Sequence, residues 1–111
     1  GGVLDRLPPH PHEGGVGAPD GVAEARVIAT GASKVTGRPF NIAVAFEGGN
    51  GKGRGLAQST FHHFADYNWD PPLGCPSFVS EAPGDAMTRD PDALRQTRQY
   101  MTNLAGWLSG G

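Results

Sequence analysis

Hydrophobic and polar positions alternate most clearly from Pro39 to Glu47, where Phe40, Ile42, Val44 and Phe46 fall on one face and mostly small residues on the other. That period of two predicts a β-strand. Ala25 to Thr30 is short, β-branched in its middle and closed by Gly31, which predicts a second strand. The polar stretch from Ser33 to Arg38, with Gly37 inside it, has the length of a turn joining two antiparallel strands. A third extended segment is expected from Arg54 to Phe61, after the glycine-rich break that starts at Gly48. From Pro91 to Leu108 the period changes: Leu94, Thr97, Met101, Leu104 and Leu108 recur at steps of three and four, flanked by Tyr100 and Trp107. Asp90 offers an N-cap oxygen, Pro91 suits the first helical position, Asp92 favours the positive end of the dipole, and Gly110 and Gly111 end the run, so a helix is predicted over 91–108.

These elements divide the chain into an extended Pro/Gly-rich segment (1–24), strands (25–61), a long loop with a helical turn at its start (62–90) and the helix. The expected class is α/β, a three-strand meander plus a C-terminal helix. Composition sharpens this in two ways. With 18 Gly and 10 Pro in 111 residues, a quarter of the positions resist regular structure, yet the glycines cluster between periodic segments, as in a loop-rich globular chain. Nine Lys+Arg against 11 Asp+Glu, a net charge of −2 without a basic block, removes the electrostatic footprint of a nucleic-acid binder. No apolar run is long enough to span a bilayer, and no signal peptide is recognisable. One cysteine, Cys75, cannot form an internal disulfide and fits a reducing compartment, so the cytoplasm is the expected location. The start at Gly1-Gly2-Val3 reads as mid-protein sequence, and a fragment is expected.

Chemistry concentrates in Phe61-His62-His63-Phe64-Ala65-Asp66-Tyr67-Asn68-Trp69-Asp70. Such a mixture is costly to bury without partners, so it marks either a ligand site or a hydrogen-bonded structural corner. As a site, His62 or His63 would be the general base, because imidazole titrates near neutral pH, and Asp66 would orient it. Asn68 would contact the ligand, and Trp69 or Tyr67 would stack on a flat face of it. His10-Pro11-His12 sets two imidazoles two residues apart, which with one of the later pair would make a metal site; no metal is assigned on that spacing alone, and no cofactor is expected. The Gly48–Gly55 cluster lacks Walker spacing, since Lys52 is followed by Gly53, and reads as a hairpin connector. Cys75, between Gly74 and Pro76, lacks a nucleophile elbow and reads as an ordinary thiol.

Gly53-x-Gly55-Leu56-Ala57-Gln58-Ser59-Thr60-Phe61-His62-His63-Phe64, with Tyr100-Met101-Thr102-Asn103-Leu104-Ala105-Gly106-Trp107-Leu108 later, resembles the C-terminal part of ThuA-like (trehalose-utilisation-type) domains of the class I glutamine amidotransferase-like superfamily. Leu7-Pro8-Pro9-His10-Pro11 is similar to an upstream segment of that group. The resemblance implies the C-terminal half of a flavodoxin-like three-layer domain, whose missing N-terminal part would be its partner. It also implies that His62 or His63 stands where the amidotransferase triad has its base, in a pocket hydrolysing a sugar-related or amide substrate. Two departures stand against that: no nucleophile elbow is present, and Phe64-Ala65 replaces the Pro-Glu that follows the histidine. The alternatives are a non-catalytic binding or interaction module, in which the 71–90 loop contacts a partner, and a metal-dependent hydrolase using His10, His12 and one of the later pair.

Overall fold

The structure, a computed structural model, describes residues 4, 6–8, 14–49, 51–80 and 83–110. The chain forms two compact units, one made of Glu13–Thr60 with Gly110–Gly111, the other of Gly1–His12 with Phe61–Ser109.

The first unit carries the sheet: β1 (Ala25–Ala32), β2 (Pro39–Phe46) and β3 (Gly55–Gln58), antiparallel and in the order β1-β2-β3. β2 is central because its alternation is the strongest, yet Ala43 and Ala45 are buried as deeply as Val44, so the middle of the strand is covered on both faces. β1 runs two residues beyond the expected Thr30. Gly31 continues the ladder opposite Phe40, whose ring lies where a Cβ on Gly31 would stand, so the partner strand fills the space that glycine leaves. Val27 pairs with Val44, Ala29 with Ala43 and Thr30 with Asn41, so Ile28 and then Ile42 are each an extra residue, and the two irregularities restore the register. β3 is shorter than the expected 54–61: its ladder ends at Gln58, and after the Ser59 N–H donates to the Ile42 carbonyl at 2.8 Å the chain leaves the sheet.

Local chemistry builds both turns. Ser33 and Arg38 close the first through a 3.0 Å backbone bond, and the Ser33 Oγ accepts from the N–H groups of Val35 and Thr36. The Gly48–Gly55 cluster joins β2 to β3, as expected of a connector, and reciprocal backbone bonds at 3.1 and 2.9 Å pair Gly49 with Lys52. The Val16 N–H donates to the Asn41 carbonyl at 3.0 Å, which ties the incoming chain to the start of β2.

In the second unit the expected 62–90 loop carries, among its described residues, four single helical turns, three of them at its start. A 3₁₀ turn spans His62–Phe64, α1 spans Asp66–Trp69, a further 3₁₀ turn Pro71–Leu73, and α2 Ala86–Arg89. α3 covers Pro91–Leu108, the predicted range. Asp90 Oδ1 accepts from the Ala93 N–H at 3.2 Å, as a capping carboxylate should. Ala93 and Thr97 are the fully buried positions of α3; the Thr97 hydroxyl donates to the Ala93 carbonyl, which satisfies it inside. The predicted stripe is otherwise half-buried, and Leu108 is exposed. No helix among the described residues is long and apolar enough to cross a membrane.

A side-chain network covers the first turn of α3: Arg95 donates to Asp92 Oδ1 from Nε at 3.1 Å and Nη2 at 2.6 Å, and Gln96 Nε2 donates to Oδ2 at 2.9 Å. The Arg95 hydrogen bonds, then its charge, with smaller help from Gln96 and the charge of Arg6, hold the Asp92 carboxyl below the usual carboxylate value against a small opposing effect of burial. A carboxyl lowered on folding stabilises the fold above its unfolded pKa of about 3.9 and loses that contribution as pH falls through the folded value. Asp92→Asn is therefore expected to lower Tm at pH 7, with the gap from the unaltered protein closing below about pH 4 in circular-dichroism melts.

Candidate polar-aromatic corner

The chemistry-rich stretch is wound tightly at the start of the second unit. The 3₁₀ turn at His62–Phe64 is followed by extended Ala65 and by α1, so residues that alternate in sequence are turned in different directions. His63 is 6% exposed and its Nδ1 lies 3.0 Å from the Pro8 carbonyl oxygen, 55 residues upstream. A carbonyl only accepts, so that nitrogen carries the proton and donates. Asn68, 4% exposed, donates from Nδ2 to the His62 carbonyl at 2.8 Å, and the half-buried Trp69 donates from Nε1 to the His63 carbonyl at 2.7 Å. Both donors close the turn on itself: the Asn68 amide joins the Ala65 N–H, at 3.3 Å, on the His62 carbonyl, and the Trp69 indole N–H is accepted by the His63 carbonyl.

Aromatic contacts extend the corner to α3. The Phe64 ring stacks on Tyr100 with centroids 5.9 Å apart and a 15° interplanar angle, and meets Trp69 edge to face at 6.4 Å. Ring pairs in these arrangements contribute about 0.5–1.5 kcal/mol beyond area burial. The His62 ring, half-buried, leans on the exposed Phe61 ring at 4.4 Å.

The six predicted site residues are close in sequence, but they do not converge as a base with its orienting acid. Asp66 opens α1 and points outward; its carboxylate accepts from the Tyr67 N–H at 2.7 Å, and no hydrogen bond joins it to either imidazole. Asn68 and Trp69 commit their donors to backbone oxygens, while the Tyr67 side chain is half-buried. Cys75 is a half-buried free thiol in the following loop. Among the described residues no three His, Cys, Asp or Glu side chains gather closely enough to hold a metal ion; His10 and His12, on which the metal-dependent alternative depends, lie outside the described residues.

Two participants escaped the sequence reading. Pro8 is buried to below 2% exposure, and Arg6 forms an ion pair with Asp90 Oδ2. The only sequence signal for either was Leu7-Pro8-Pro9, an apolar, extended run within a segment otherwise read as loop. Comparisons with known protein families, curated proteins and solved structures find no match to this chain.

Proposed function

We propose that the chain is a non-catalytic interaction module in which residues 61–69 are a structural joint and the segment after them presents the contact surface. One observation carries this reading: the corner spends its buried polar side chains on the chain's own backbone, His63 on Pro8, Asn68 on His62 and Trp69 on His63. A general base needs an open path to a substrate proton, and a ring 6% exposed has little of one. The next ten residues do the opposite, with Leu73 60% and Phe78 85% exposed. Large apolar side chains held in water by an ordered loop are what a partner surface covers.

A second reading is a ThuA-like hydrolase acting on a sugar-related or amide substrate, with a small-molecule ligand at the corner. It is favoured by the His62 ring, which is half-exposed where the resemblance puts the triad base. Its flavodoxin-like frame requires parallel strands joined by crossover helices, so β1–β3 would be an antiparallel margin of a larger sheet.

The two readings separate in one set of measurements. With glutamine or an acetylated sugar as substrate, neither ammonia nor acetate is expected above the buffer rate. The Leu73→Ser/Phe78→Ser double variant is expected to keep its stability within about 1 kcal/mol, as surface changes do, while losing retention on a hydrophobic-interaction column. Turnover that His62→Ala abolishes would transfer the assignment to the hydrolase.

A further inference from the structure

The second unit is built from two separate stretches of chain, and the shorter one is seated like a ligand. Arg6 is paired through its guanidinium with Asp90 Oδ2, Leu7 is half-buried, and Pro8 is below 2% exposed with its carbonyl accepting from His63 Nδ1 at 3.0 Å. Each contact has a chemical reason to select its residue. Proline has no N–H, so its burial leaves only a carbonyl to satisfy, and His63 supplies the donor. Its fixed φ keeps the segment extended before it docks, which lowers the ordering cost. Asp90 is immobilised by its own role, because Oδ1 caps α3 while Oδ2 faces the guanidinium. The receiving groups thus come from the corner and from the start of α3, and the occupant is defined by a cation two residues before a proline.

We propose that this face of the second unit, marked by His63 and Asp90, is a recognition site for an extended Arg-x-Pro peptide, held in this structure by the chain's own Arg6-Leu7-Pro8. The site is distinct from the 71–80 contact surface and stands or falls separately from it. Of the two anchors the Arg6–Asp90 pair is the more exposed, with side chains 49% and 34% exposed, and ion pairs of that exposure hold weakly, so it is the contact at which the self-occupant is loosened first. The self-occupant has in addition the advantage that its docking is intramolecular. A free peptide at micromolar concentration meets a filled site unless the tethered copy is weakened.

The test uses the full chain, isotopically labelled, and a blocked peptide with the sequence of residues 4–9. The apparent Kd for the peptide is expected to tighten about tenfold or more when the chain carries Arg6→Glu, because the fraction of open sites rises. Backbone resonances of His63 and Ala93 should shift on saturation. Asp90→Asn added to that chain, which keeps a capping oxygen, should weaken the peptide severalfold. A control peptide with Arg6→Glu and Pro8→Ala should not bind. If Arg6→Glu costs the chain its dispersed spectrum, addition of the unaltered peptide is expected to restore it and raise Tm. Absence of saturable shifts in a folded Arg6→Glu chain at millimolar peptide, equal binding of the control peptide, or no rescue of an unfolded variant would each overturn the proposal.

Discussion

Gly48→Ala is expected to destabilise the β2–β3 connection by about 2–4 kcal/mol, the largest effect of any single methyl group in the sheet unit. Two independent penalties meet there. Gly48 has φ 76°, where an L side chain is strained, and a Cβ would lie 2.8 Å from the carbonyl oxygens of both Lys52 and Gly53. Backbone atoms locked in a hairpin cannot yield as the end of a side chain can. Gly37 supplies the internal control: its φ is 73°, but a Cβ there meets nothing within 4 Å, so Gly37→Ala carries the strain alone, about 1 kcal/mol. Urea unfolding of the two variants isolates the steric part by difference. Equal losses would mean that the carbonyl ring around Gly48 opens freely.

The second large effect is His63→Ala, expected to cost about 2–4 kcal/mol. The substitution empties a buried position and leaves the Pro8 carbonyl without the donor it now has at 3.0 Å. His62→Ala, one residue away, removes a half-exposed ring leaning on an exposed phenylalanine and should cost less than about 1 kcal/mol. The contrast discriminates between roles as well as magnitudes. A base held ready for catalysis is commonly neutral or stabilising to remove, because an active site is built at some expense to the fold. Equal, small losses for both histidines would remove the structural role assigned to His63.

The legibility of this chain followed the range of the interactions. α3 was readable end to end because its determinants are local: Asp90 and Pro91 at the start, a step of three and four along the face, glycines after the last turn. The strands were readable in kind and order, since alternation and a short polar turn suffice for a hairpin. Their ends were not. β1 continues through Gly31 because a phenylalanine on the neighbouring strand covers it, which no window around Gly31 reveals. The corner shows the same division more sharply. Its residue types announced that buried polar groups would need partners, but the partner of His63 is a carbonyl 55 residues away, and Asp66 adjoins the histidines in sequence while the turn into α1 directs its carboxylate elsewhere.

The split composition of the second unit also sets an order of events during synthesis. Arg6 and Pro8 are made long before the residues that receive them, Asp90 and His63, whereas all three strands of the sheet are encoded in the contiguous stretch between. At about 5–20 residues per second, a ribosome completes that intervening stretch within seconds, ample time for a meander with short connections to form first. Throughout that interval the Arg-Leu-Pro segment is without its intramolecular seat. Any extended-peptide receptor in the vicinity, a chaperone or a finished copy of this same chain, has its best opportunity to hold it then, and slowing translation after residue 60 would lengthen that opportunity in proportion.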